Sequence, residues 1–119
     1  LIVSYGRISA EAAAAAGQLN GENARIDFLR LNRIIPLDST VINAVRRYAR
    51  VWFVEECYQT GSVGQSMAVT LLLQGWPGKF YHRALNQIPP QSTVKSALSK
   101  AGLDKEGIYR FVKEGINLA

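Results

Sequence analysis

A chain of 119 residues with 48% apolar and 19% charged residues is the size and composition of one globular domain with a core of its own. No apolar run approaches the ~20 residues needed to cross a bilayer, and Leu1-Ile2-Val3 lacks the basic flank and cleavage site of a signal peptide. One cysteine excludes an internal disulfide and fits a reducing, cytoplasmic setting, while a net charge of +5 leans basic without naming a partner.

The chain opens on "LIVSY", apolar without polar alternation, as in a strand covered on both faces. An Ala-rich helix is predicted from about Ser9 to Leu19, stopped by Asn20-Gly21; its small side chains let it lie close against a sheet. "ARIDFLRL" reads as a second strand with Ile26 and Phe28 on one face. After the loop "NRIIPLDST", Asp38 is placed to cap a helix bearing Val41, Ile42 and Val45 on one side.

"RVWFVEE" is the third strand and the most apolar, hence central. "GSVGQSMAVTLLLQG" follows as a helix with Val63, Met67 and Leu71 at helical spacing beside Ala68 and Leu72. A turn at Gly75 to Gly78 leads into a fourth strand, "KFYHRAL". Beyond the loop "NQIPPQST", Ser92 is expected to cap a helix with Val94, Ala97, Leu98 and Ala101. "AGLD" ends that helix, and a last one carries Ile108, Phe111 and Val112.

Strand and helix alternate, so the pattern predicts a three-layer α/β/α domain over residues 1–119. Its sheet is mostly parallel, of four to five strands, with room for one antiparallel edge. The missing initiator Met suggests a domain of a longer multidomain chain.

In such sheets ligands gather at the carboxyl ends of the strands. The residues expected there are Tyr5, Gly6 and Arg7, then Asn32 and Arg33, then Glu55, Glu56 and Cys57, and Asn86. The helix start at Gly61, Ser62, Gly64 and Gln65 could hold an anion on its free N–H groups. Yet "GSVG" matches neither the dinucleotide-binding nor the P-loop pattern and has no adjacent lysine. The plainer reading is that Gly61 and Gly64 let the helix start tightly against its neighbours.

Glu55 and Glu56 are consecutive and point to opposite faces of a strand, a poor general acid–base pair; an ion-pair or subunit-contact role suits them better. A dyad of Cys57 with His82 would need the loop after one strand to meet the middle of the next, and one Cys with one His cannot close a zinc site. In "KFYHR", Phe80 and His82 share one side and Tyr81 and Arg83 the other, as in any strand. Six of the fourteen basic residues are Arg25, Arg30, Arg33, Arg46, Arg47 and Arg50, interrupted by Asp27 and Asp38. They read as solvated or subunit-facing, and nucleic acid is not an expected partner. No residue stands out as catalytic, cofactor-binding or metal-ligating.

The segments "LIVSYGR", "FLRLNRIIPLD", "VWFVEE…GSVGQ" and "AGLDKEGI", in this order, resemble the C-terminal domain of the transketolase family of thiamine-diphosphate enzymes. Arg30 to Asp38 resembles that family's strand, loop and helix-capping Asp, and Val54 to Gly64 its third-strand exit. "GLDKEGI", Gly102 to Ile108, is similar to the 1-deoxy-D-xylulose-5-phosphate synthase branch. The stretch Ala84–Thr93 departs from the family, which has a Gly-[Leu/Ile]-Pro with aromatics there.

The resemblance implies a domain that packs on preceding domains of its own chain and on the partner of a homodimer. Thiamine diphosphate and Mg2+ would be held by those other domains. Glu55, Glu56 and the arginines would then be interface groups. The alternative is a stand-alone regulatory module binding an anionic metabolite at the Gly61–Gln65 helix start.

Overall fold

The four apolar runs become four strands in a computed structural model that describes residues 1–86 and 93–117. They are β1 (Ile2–Ser4), β2 (Phe28–Arg30), β3 (Arg50–Tyr58) and β4 (Lys79–Leu85), in the order β2-β1-β3-β4. All three strand pairings are parallel. The antiparallel edge allowed by the sequence is not present among the described residues, and β1 and β3 are the central strands.

Register divides the side chains into two layers. Phe28, Ile2, Trp52 and Tyr81 form one row across the sheet, and Leu29, Val3, Phe53 and His82 form the next. Successive residues of a strand face opposite sides, so the two rows feed two cores. On one face Ile2, Trp52 and Val54 pack with α1 (Ser9–Gly21), α4 (Val94–Ala101) and α5 (Lys105–Asn117). Trp52 stacks on Tyr81 with ring centroids 5.0 Å apart. On the other face Val3, Val51 and Phe53 meet Ile42 and Val45 of α2 (Ser39–Val45), and Met67 and Leu71 of α3 (Val63–Leu73). Burying the sheet on both sides is what permits strands without polar alternation.

Local signals place the helices. Ala12, Ala15 and Ala16 form the inner stripe of α1, as the Ala run foretold. That helix runs through Gly21, past the expected stop, and the chain turns at Asn23, whose φ is 69°. Asp38 caps α2 by accepting from the Thr40 N–H at 2.8 Å. Val63, Met67 and Leu71 face inward on α3, but Leu72 is 74% exposed. Leu72 follows Leu71 by one residue, or 100° around the helix, so both cannot sit on one face. The cap of α4 is Thr93, which accepts from the Ser96 N–H at 3.2 Å, in place of the expected Ser92. Ser92 and the rest of the loop from 87 to 92 lie outside the described residues.

The "GLDKEGI" segment is the turn between α4 and α5. Gly102 ends α4 in the left-handed region at φ 72°, Leu103 and Ile108 are fully buried, and Asp104 accepts from the Gly107 N–H at 2.9 Å. A Cβ on Gly107 would lie 2.5 Å from the Gly102 carbonyl, so only glycine lets the two helices turn this closely. Gly102, Leu103, Gly107 and Ile108 serve the packing of this turn and Asp104 its capping, while Lys105 and Glu106 are exposed.

Candidate functional site

The carboxyl ends of β1, β3 and β4 converge on one carboxylate. β3 runs past its expected end to Tyr58, with a register shift between Val54 and Tyr58. Glu55 lies on the strand, as expected, two residues after Phe53 on the same face, and turns inward with no exposed surface. Its Oε1 accepts from the Tyr5 hydroxyl at 2.7 Å. Its Oε2 accepts from His82 Nε2 at 2.6 Å and from the Gly64 backbone N–H at 2.8 Å. Tyr5 and His82 each lie edge-on to the Phe53 ring, at 6.2 and 6.1 Å, which floors the cluster with apolar surface.

Burial alone pushes the Glu55 pKa up, because the charged form loses water. The hydrogen bonds from His82, Tyr5 and the Gly64 N–H outweigh that and hold it below the ordinary glutamate range. Since Glu55 is an acceptor, the Nε2 of His82 carries the hydrogen between them. Burial, and then the hydrogen bond and charge of Glu55, push the Tyr5 phenol above its ordinary range.

The start of α3 closes the cluster. Ser62 is its N-cap, accepting from the Gln65 N–H at 3.1 Å while its hydroxyl donates to the Gln59 carbonyl at 2.8 Å. The Gln65 side chain reaches back to the Gly61 N–H at 2.6 Å, a variant of the capping box. Gly61 holds a φ of 76°. Gly64 has a different need: a Cβ there would lie 2.5 Å from both Glu55 Oε2 and His82 Nε2. The positive end of the helix dipole thus meets an anion supplied by the chain itself.

Of the residues expected at this end, Tyr5, Glu55, Ser62 and Gly64 come together, and Gly61 and Gln65 support them. Glu56 points away and pairs with Arg7 on the surface. Of the two glutamates assigned to an interface, only Glu56 has surface to offer. Cys57 is exposed and His82 is engaged with Glu55, so the geometry offers no Cys–His dyad. Arg30, Asn32 and Arg33 line a separate hollow beside β2, and Asn86 is exposed.

His82 is the member that sequence reasoning missed, though its alternation already placed it with Phe80 on one face. The parallel register that sets it beside Phe53, one step from Glu55, was the lacking link. The cluster is not a hydrolase triad either. Such a triad needs one ring nitrogen for the acid and the other for the nucleophile. Here Nε2 faces both Glu55 and the Ser62 hydroxyl, the latter at 3.5 Å, the outer limit of a hydrogen bond.

A cavity of about 360 Å³ opens beside the helix start, lined by Ile34 to Leu37 and by Gly61, Ser62, Val63, Ser66 and Thr70. None of these carries a charge. Among the described residues no group of three or more His, Cys, Asp or Glu could hold a metal ion. Among the described residues no helix is long and apolar enough to cross a membrane.

The family model described as "Transketolase, C-terminal domain" matches residues 1–108. Among solved structures, the chain is similar to one described as "Split gene transketolase, inactive beta4 tetramer". The TM-score is 0.87 at 24% identity, over 98% of this chain and 39% of that one. This chain thus spans about two fifths of the length of that relative. No curated protein matches it.

Proposed function

Because the chain belongs to the transketolase C-terminal domain family, we propose that it is the buttressing domain of a thiamine-diphosphate-dependent 1-deoxy-D-xylulose-5-phosphate synthase. The parent would condense pyruvate, after decarboxylation, with glyceraldehyde 3-phosphate, in the cytoplasm, as a step toward isoprenoid and vitamin precursors. In it, bound thiamine diphosphate and Mg2+ supply the electron sink. Among the described residues there is no group of three or more His, Cys, Asp or Glu to hold Mg2+, and we assign both groups to the other domains of the parent. No step of the reaction is therefore assigned to the residues of this chain, and their task is to position the domain.

The observation that carries this reading is the self-sufficiency of the carboxyl end. Glu55, His82, Tyr5 and the α3 N-terminus satisfy one another and leave the helix face beyond them to make contacts. That face is apolar: Val69, Leu72 and Leu73 are 48, 74 and 81% exposed. On a short helix this is the kind of surface that other domains or a partner subunit cover. The choice of the deoxyxylulose-phosphate branch is supported by the "GLDKEGI" turn.

The regulatory-module alternative fares worse, because two of its N–H donors are already engaged by Glu55 and Gln65 and its cavity has no cation. Calorimetric titration of the chain with thiamine diphosphate tests the proposal. No binding at micromolar affinity is expected from this chain alone. The chain joined to a cofactor-binding partner is expected to support the condensation. Tight cofactor binding by the isolated chain that persists when Arg47→Glu and Lys79→Glu remove the cations at the amino end of the sheet would overturn the reading.

A further inference from the structure

The arginines at the amino end of the sheet, expected above to face a subunit, border a cavity together with Lys79. We infer that the cavity there binds a small polyphosphate ester, held by Arg46, Arg47, Arg50 and Lys79 beside the ring of Trp76. This inference stands apart from the function proposed above.

The cavity has a volume of about 440 Å³, within the range of ligand sites, and those residues line it. Arg46 and Arg47 follow the end of α2; register sets Arg50, the first residue of β3, beside Lys79, the first of β4, and the four border the hollow at the edge between the two layers. Among the described residues the ion pairs are Arg7–Glu56, His82–Glu55 and Lys113–Glu22, and none involves these four. Arg46 donates to the Gln74 side chain at 3.1 Å, and Arg50 reaches the Ile116 carbonyl only at 3.4 Å. Four like charges around one hollow repel one another until an anion enters.

One wall is already fixed. The Trp76 indole donates to the Tyr48 carbonyl at 3.0 Å. A Cβ on Gly78 would come within 2.1 Å of the Trp76 ring, so glycine is what lets the ring lie there. A ring so placed is ready to stack on a base or other flat group without further ordering.

The opposing charges are small. Asp27, the nearby carboxylate, already accepts from the Tyr48 hydroxyl at 2.5 Å. The carboxyl ends of α2 and of α5, the latter reached by Arg50 at Ile116, each carry at most about half a negative charge, against four cations. A nucleic-acid surface fits less well. Arg30 and Arg33 line a hollow at the carboxyl end of β2, so the arginines form no continuous track for a backbone.

The test is a titration of the isotopically labelled chain with ADP, followed by nuclear magnetic resonance. Saturable shifts are expected at the Trp76 indole and the backbone amides of Arg46, Arg47, Gly78 and Lys79. Adenosine, lacking phosphates, should shift none of them. The pair Arg47→Glu and Lys79→Glu should weaken ADP by roughly tenfold or more, the worth of one charge-assisted contact. The pair Arg33→Glu and Arg110→Glu makes the same change of net charge elsewhere and should alter affinity less than about twofold, being screened. Absence of saturable shifts, equal binding of adenosine, or equal weakening by both pairs would overturn the inference. Backbone spectra that superimpose outside the cavity establish that each variant is folded.

Discussion

The two ends of the sheet solve the same electrostatic problem in opposite ways. At the carboxyl end, where α/β sheets usually take their ligands, one buried carboxylate accepts from Tyr5, His82 and the start of α3, and the site is filled by the chain's own atoms. At the amino end, four cations border a hollow and none has a carboxylate partner among the described residues. A helix N-terminus is thus a poor guide to ligand binding when a strand beside it delivers a glutamate. Which charges are already spent matters more than where the fold usually keeps its site.

If the carboxyl end is a closed internal cluster, disturbing it should cost the most. Replacing Glu55 with Ala strands the His82, Tyr5 and Gly64 donors inside the protein and should destabilise by about 3–5 kcal/mol in urea denaturation. Gly64→Ala is next. Its Cβ has no room between the carboxylate and the imidazole, and about 1–3 kcal/mol is expected. Gly17→Ala is the contrast. It lies on the exposed side of α1 with nothing near its Cβ position, and should stabilise by about 0.5–1 kcal/mol.

The same cluster sets an acid dependence. The Glu55 pKa is lower in the folded chain than in the unfolded one. Its contribution is then fully present above the unfolded glutamate value, about 4.3, and is lost as pH falls through the depressed folded value. The stability gap between the natural chain and Glu55→Gln, measured by urea midpoints across pH, should be widest near neutrality and narrow in acid. The smallest effect belongs to the surface. Glu56→Gln removes only an exposed pairing with Arg7 and should barely move the midpoint, whatever the pH.

Much of this architecture was legible in the sequence, because the strands are apolar runs and the caps are single residues with a local task. Asp38 and the "GLD" turn act within a few residues of themselves, and so could be read there. Leu72 was misjudged because an apolar run on a helix does not say which members face out. The Glu55–His82 contact was hidden for a different reason: it joins residues 27 apart through a strand pairing that only the folded sheet supplies. The basic cavity was not foreseen: Arg46, Arg47 and Arg50 were read among six arginines as solvated or subunit-facing, and Lys79 and Trp76 join them only when β4 is laid beside β3.

The claim that the carboxyl end is held by its own internal pairing is tested most directly by a double-mutant cycle of Glu55→Gln and His82→Gln in urea denaturation. A coupling above about 1 kcal/mol is expected for two buried groups in one network. Simple additivity of the two substitutions would contradict it and would return Glu55 to the set of residues awaiting a ligand.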